Sequence, residues 1–417
     1  MNGFKYIGGE LYSEDVKVAE IAEEVGTPFY LYSFDALLNN YYDFESAFSG
    51  LDSLVCYAYK ANSNLALCKV LAEVGCGADV VSEGELRKAL QVGVPPGKIV
   101  FNGNGKMARE LSFALKHCIL MFNVDSDEEI MLLNSTAGEM RKKARISLRV
   151  NPDINPKTHP HIATGLKESK FGFEISSAIE SYRLANELEN LEVTGIHIHI
   201  GSQITSLEPF MDALEKIASL LTRLEDTGIG LRYLNVGGGL GITYSNEPPL
   251  LLSDYRQAIA SLVKATGLKI IFEPGRRLVG NAGILITQVL YLKETPHKKF
   301  VVVDAGMNDL IRPAFYDAYH EIKPVKDEVT TDKIVADVVG PLCECGDFLA
   351  KDREIPRVRR KDFLAIFSAG AYGFSMSSNY NSRCRGAEVL VRGDKFQVVR
   401  ERETYRDLIR RERFFKA

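Results

Sequence analysis

The chain has 417 residues, of which 46% are hydrophobic and 25% charged, with a formal net charge of -4. That length exceeds what one core usually supports, so two domains are expected, and the composition is that of an ordinary globular protein. The small negative balance gives no reason to expect nucleic acid or an anionic membrane as a partner, no apolar run is long enough to span a bilayer, and Met1–Glu10 contains no apolar signal core.

Eight β-rich runs follow one another: Leu54–Lys60, Gly77–Ser82, Ile99–Gly103, Met121–Ser126, Arg145–Asn151, Val193–Gly201, Tyr233–Gly239 and Lys269–Pro274. The first five begin roughly 22 to 24 residues apart, room for one strand and one crossover helix. Intervening segments such as Glu83–Leu90 and Glu208–Leu221 repeat their apolar residues at three- and four-residue intervals. The repeat predicts a (β/α)8 TIM-type barrel over residues 28–280, since a closed parallel sheet leaves no exposed edge. Beyond about Gly280, Leu285–Leu292, Lys299–Asp304, Lys333–Val339, Ala387–Val391 and Lys395–Val399 read as strands with few helices between them. They predict a second, mainly antiparallel β-barrel-like domain over 281–417, with residues 1–27 packed on it because that segment does not fit the barrel repeat. The expected fold class is α/β plus all-β.

Chemistry-bearing residues gather at the ends of the barrel runs. Lys60 ends the first and Asp79 lies on the second. His199 and Ser202 stand at and just past the end of the sixth, Gly237, Gly238 and Gly239 end the seventh, and Glu273 closes the eighth, followed by Gly275 and Arg276. Barrel enzymes build their sites at the carboxyl ends of the strands and often hold phosphate after strands seven and eight, so these residues converge on one mouth.

Singly, each has an ordinary reading: a solvated lysine, a polar strand-end aspartate, a core histidine, a glycine turn, a helix-capping glutamate. Together they supply an amine, an aromatic stacking partner, backbone amides open to a phosphate, and a carboxylate for a pyridine nitrogen, which is what a pyridoxal phosphate (PLP) site requires. His197 and His199 share one strand face, so a metal pair is the rival reading. No carboxylate or third histidine completes a recognisable ligand pattern, and no metal is expected. The glycine run has neither the P-loop spacing nor the position of a dinucleotide fingerprint.

In the second domain, Arg312 can clamp a carboxylate with its planar fork, Cys343 can deliver a proton and Glu344 can hold an ammonium group. A surface arginine, a packed thiol and a solvated acid are the ordinary equivalents. Seven cysteines, an odd count scattered along the chain, suit free thiols in a reducing cytoplasm, and Cys343-Glu344-Cys345 lacks structural zinc spacing.

The most specific stretches are Tyr57–Asn62, Asn151–Asp153, Lys157–Pro160, Ile162–Gly165, Ser169–Gly172, His197–Gln203, Glu273–Arg276, Cys343-Glu344 and Ser375–Arg383. Through them nearly the whole chain resembles the diaminopimelate decarboxylase family of fold-type III PLP enzymes. The resemblance implies that Lys60 is the covalent attachment point of PLP and that His199 stacks on its ring. It further implies that Ser202 and Gly239 help bind phosphate, that Glu273 pairs with the ring nitrogen, and that the Glu273–Arg276 segment borders the cofactor. Arg276, Arg312, Tyr316, Glu344 and Tyr372 match substrate-binding positions, with Tyr372 also touching the cofactor, and Cys343 matches the proton donor.

The implied reaction converts meso-2,6-diaminopimelate to L-lysine and carbon dioxide, the last step of lysine biosynthesis, in a cytoplasmic homodimer whose Cys-Glu segments complete each other's sites. A related decarboxylase of ornithine, arginine or carboxynorspermidine, and a non-catalytic PLP-binding regulator, are the alternatives. Two departures stand out: Cys345 replaces the family's usual serine, and Cys384-Arg-Gly386 stands where proline is common.

Overall fold

The computed structural model describes residues 3–156, 159, 164–165, 169–326 and 332–415. The chain divides into two compact units, one of Tyr41–Thr243 with Pro248–Arg277, the other of Met1–Asn40 with Tyr244–Glu247 and Leu278–Ala417.

In the unit centred on Tyr41–Thr243, eight parallel strands follow in sequence order: Ser53–Ala58, Gly77–Val80, Ile99–Phe101, Met121–Val124, Ala144–Asn151, Leu191–His197, Tyr233–Asn235 and Lys269–Phe272. The eighth pairs with the first, Ile271 opposite Leu54, and this closes the barrel. Every run expected from the sequence is a strand, but seven of them end two to four residues earlier than expected, as the residues at their carboxyl ends leave the ladder to form loops. Cys56, Val100, Leu120, Met121 and Ile271 form one buried cluster with Leu54 and Tyr233 packed against it.

Helices connect the strands, and their apolar stripes explain why they form. Glu208–Glu225 buries Phe210, Ala213, Leu214, Ile217, Leu220, Leu221 and Leu224, a spacing of three and four that puts them on one face. Each of the leucine, isoleucine and phenylalanine side chains contributes about 1.5–3 kcal/mol on burial. Two helices start from matching serine caps. The Glu85 amide donates to Ser82 Oγ while Glu85 Oε2 accepts from the Val81 amide, and Glu129 repeats the device with Ser126 and Asp125. These caps satisfy amides that the helix itself cannot pair, and they fix the loops that follow strands two and four.

The other unit is built on a mainly antiparallel sheet whose strands lie in the order Phe348–Pro356, Lys333–Val339, Lys299–Val303, Gly283–Glu294, Phe29–Ser33, Ala387–Arg392 and Lys395–Arg400. Ile322–Pro324 and Phe363–Ile366 join it through Gly283–Glu294. Phe29–Ser33 pairs antiparallel with Gly283–Glu294 and parallel with Ala387–Arg392, so a segment near the start of the chain lies inside this sheet. Val18, Ile21 and Ala22 of the helix Val18–Val25 share a core with Phe29, Leu31, Ile284, Ile286, Phe367, Val389 and Val391.

Glu85 provides a test of the barrel's buried caps. Burial pushes its carboxyl up to about 7, against the opposing hydrogen bond from Val81 and with the charge of Asp79 reinforcing the rise. Between its ordinary value of 4.5 and about 7, the folded protein holds a proton that the unfolded chain has released. Stability therefore falls as pH rises across that window. Glu85→Gln keeps an acceptor for the Val81 amide and should remove this slope, about 3 kcal/mol across the window. Urea unfolding at pH 5 and pH 7.5 measures it, and an undiminished pH dependence in the variant would contradict the assignment.

Candidate active site

Glu273 lies just past the eighth barrel strand and is 3% exposed, a carboxylate in the barrel interior. Its Oε1 accepts hydrogen bonds from Asn102 Nδ2 at 2.7 Å, Asn235 Nδ2 at 2.6 Å and Asn123 Nδ2 at 3.4 Å. Its Oε2 stands 3.4 Å from His197 Nε2. Burial alone would raise its pKa, but His197, Lys60 and the Asn102 amide together hold it well below the ordinary carboxylate range. Glu273 is therefore an anion despite its burial.

Asp79 behaves in the opposite way. It is fully buried on the second strand, and burial followed by the charge of Glu273 raises its pKa, with Lys60 and Asn102 opposing. Lys60, in the turn after the first strand, places Nζ 2.7 Å from Asp79 Oδ2. Asn102 joins the two carboxylates, since its Nδ2 also donates to Asp79 Oδ1 at 2.6 Å. Lys60, Asp79 and Glu273, from the ends of strands one, two and eight, thus belong to one hydrogen-bonded group.

His199 follows the sixth strand and is only half-buried by surface, yet protein surrounds it closely enough to lower its pKa well below normal, with Lys60 and Arg149 adding to the effect of burial. The ring is neutral, and the Gly238 amide donates to its Nδ1 at 3.2 Å, which leaves the proton on Nε2. The glycine run has a packing reason as well as the one expected from the sequence. Gly237 has φ 66° and Gly239 has φ 98°. A Cβ on Gly238 would strike the Glu273 carbonyl, and one on Gly239 would come within 2.6 Å of the Gly201 carbonyl. The loops after strands six, seven and eight can approach this closely only with glycine there.

Arg276 is buried and donates from Nη2 to Ser202 Oγ at 3.1 Å, bringing a guanidinium and a hydroxyl together beside the glycine loop. Gly275 packs on the turn that carries Lys60, where an added Cβ would lie 3.0 Å from that of Ala61.

Five candidates belong to the other unit. Arg312 opens the short helix Arg312–Tyr316, is buried, and lies 4.5 Å over the ring of Tyr244. Its Nη1 meets His320 Nε2 at 2.7 Å while His320 Nδ1 meets the Phe367 carbonyl at 2.8 Å. Because a guanidinium only donates, Nε2 accepts and Nδ1 carries the proton. Tyr316 is half-buried beside Phe315. Cys343, Glu344 and Cys345 are all exposed, held by a hydrogen bond from the Cys343 amide to Asn381 Oδ1 at 2.9 Å. Glu344 also raises the pKa of Tyr380 through a side-chain hydrogen bond. Tyr372 has φ 55°, a conformation uncommon for a residue with a side chain.

The sequence reading did not select Asn102, Asn123, Asn235, Arg149 or His197 as site residues. Asn102 follows the third strand, Asn123 lies within the fourth and Asn235 ends the seventh, so a polar amide in or beside an apolar run was the only available signal. Of the motifs quoted, Lys157, Thr158, Pro160, Ile162 and Ala163 lie outside the described residues. No group of three or more His, Cys, Asp or Glu among the described residues could hold a metal ion.

The donor set fits PLP. Lys60 offers an amine near a carboxylate, Glu273 an ionised buried carboxylate held by neutral amides, and His199 an uncharged flat ring.

The comparisons with known proteins agree. Residues 35–280 match the family described as pyridoxal-dependent decarboxylase, pyridoxal binding domain. The chain is 52% identical over 405 residues to a diaminopimelate decarboxylase of Aquifex aeolicus, covering 96% of this chain and 95% of that one. A crystal structure of diaminopimelate decarboxylase from Helicobacter pylori complexed with L-lysine superposes with a TM-score of 0.90 at 46% identity, covering 94% of this chain and 98% of that chain. One from M. jannaschi gives a TM-score of 0.94 at 43% identity, with 99% and 98% covered. The chain belongs to the pyridoxal-dependent decarboxylases and, within them, to the diaminopimelate decarboxylase family.

Proposed function

We propose that this protein decarboxylates meso-2,6-diaminopimelate to L-lysine and carbon dioxide with PLP as cofactor, the closing step of lysine formation. The observation that carries this reading is the network joining the Lys60 amine to the Glu273 anion through Asp79 and Asn102. When bound, the cofactor supplies an electron sink for the pair of electrons left at the substrate α-carbon as the carboxylate departs.

The chain's own residues do the rest. Lys60 holds the cofactor covalently, and its pairing with Asp79 fixes the direction of the amine. Glu273 keeps a proton on the ring nitrogen, because an adjacent anion raises that nitrogen's pKa, at about 1.4 kcal/mol per unit. His199 would lie against the ring, where its neutrality would avoid repulsion with a protonated ring nitrogen. Ser202, Arg276 and the amides of Gly237, Gly238 and Gly239 bind the phosphate, with Asp79 and Gly275 shaping the same mouth.

At the substrate, Arg276, Arg312, Tyr316, Glu344 and Tyr372 read the far end, Tyr372 also bordering the cofactor. That end is itself an amino acid carrying both charges, which suits an arginine fork and a carboxylate together. Cys343 gives its thiol proton to the α-carbon. The exposure of Cys343 and Glu344 supports a homodimer in which this segment serves the partner's site. Free cysteines support a cytoplasmic setting.

Three measurements test this reading. Incubating purified protein and PLP with meso-diaminopimelate should release carbon dioxide and yield lysine, and faster turnover of ornithine would overturn the substrate. Borohydride reduction followed by peptide mapping should find the cofactor on Lys60, and Lys60→Ala should abolish that label; a label on another lysine would refute the attachment. Cys343→Ala should slow turnover by about 100-fold or more while PLP stays bound, within the usual range for loss of a general acid. A defect confined to Cys345→Ala would transfer the proton-donor role to that thiol.

A further inference from the structure

Asn102 stands at a point that the reaction as written does not use. It follows the third barrel strand, is 4% exposed, and spends both protons of one amide nitrogen on two different carboxylates, Glu273 at 2.7 Å and Asp79 at 2.6 Å. Its Oδ1 accepts from Asn123 Nδ2 at 2.8 Å. This last bond fixes the amide. Rotated by half a turn, Asn102 would set its oxygen against two carboxylates and its NH2 against another NH2, so the orientation is locked by chemistry on both sides.

Two carboxylates bridged by one nitrogen would repel strongly in a poorly screened interior if nothing stood between them. A neutral double donor lowers that repulsion without adding a charge. A lysine or arginine in its place would bind both anions more strongly but would compete with Lys60 for Asp79. Asparagine is the side chain that holds the pair while leaving Lys60 as the cation of the site. The other titratable groups facing the pair are His197 against Glu273 Oε2, Lys60 against Asp79 Oδ2, and, at longer range, Arg149 and Glu85.

We propose that Asn102 is a positioning residue that clamps Glu273 and Asp79 into a fixed pair, holding Glu273 as the anion that serves the cofactor's ring nitrogen and Asp79 as the partner of the Lys60 amine. The inference rests on the reading of Glu273 given above. It adds that the two assignments are one device, set by a neutral side chain that touches neither the substrate nor a transferred proton.

The test uses the full-length protein loaded with PLP and compares Asn102→Leu, Asn102→Ser and Glu273→Gln. Two quantities are read: the dissociation constant for PLP, and the pH midpoint for protonation of the cofactor's ring nitrogen, followed by nitrogen-15 NMR of labelled cofactor. Asn102→Leu loses both carboxylate hydrogen bonds, of which the one to Glu273 bears on the ring nitrogen, and should weaken PLP binding about 10- to 100-fold. The midpoint should move to lower pH in both, because the ring nitrogen loses its anion in Glu273→Gln and the fixed alignment of that anion in Asn102→Leu. Asn102→Ser retains a single donor and should fall between wild type and Asn102→Leu. If Asn102→Leu does not fold, Asn102→Ser carries the comparison alone.

Should Glu273→Gln shift both quantities while the Asn102 variants keep wild-type values, the clamp is overturned and the Glu273 assignment stands. A lowered melting temperature with an unmoved midpoint also overturns it, since that is what a purely structural amide would give. Wild-type behaviour of Glu273→Gln would remove the role of Glu273, and the clamp with it.

Discussion

An ionised carboxylate in the interior of a barrel is the constraint from which the rest of this site follows. Desolvating such a group costs several kcal/mol unless hydrogen bonds and opposite charge offset it. At Glu273 the offset comes from His197, the nearby charge of Lys60 and several asparagine amides, with no lysine or arginine bonded directly to the carboxylate among the contacts described. Neutral donors stabilise the anion without cancelling its field. The charge remains available to a ligand, which a tight lysine or arginine pair would have quenched.

The same economy explains the neighbourhood. Asp79 is pushed toward its protonated form by burial and by the charge of Glu273, and Lys60 and Asn102 draw it back. His199 stays uncharged because the surrounding protein and two cations disfavour its protonation. Two carboxylates bridged by one amide are thus pushed in opposite directions, Asp79 up and Glu273 down, the pattern expected where chemistry is done. The glycine loop serves this arrangement mechanically, since the Gly238 amide that orients His199 sits where a side chain would collide with the Glu273 carbonyl.

Much of this was legible in the sequence. The strand runs announced themselves by apolar content and even spacing, and Lys60, Asp79, His199 and Glu273 stood at the ends where a barrel places its chemistry. The roles of Asn102, Asn123 and Asn235 were not legible, because asparagine in or beside a short apolar run reads equally as a turn former. Their burial is a property of barrel closure, which no local window contains. The pairing of Phe29–Ser33 with Gly283–Glu294 and Ala387–Arg392 escaped for a related reason: strand propensity is local, whereas the identity of a strand's neighbour is not.

That pairing bears on how the polypeptide is made. On a ribosome, Phe29–Ser33 emerges early, but Ala387–Arg392, one of the two strands that flank it, follows roughly 350 residues later. At roughly 5–20 residues per second, this leaves an apolar ribbon without its neighbour for some tens of seconds, while the whole barrel is synthesised in the interval. Shielding that ribbon during translation is therefore a demand built into the topology, and a shortage of chaperone should show itself first as aggregation of nascent chains rather than of finished protein.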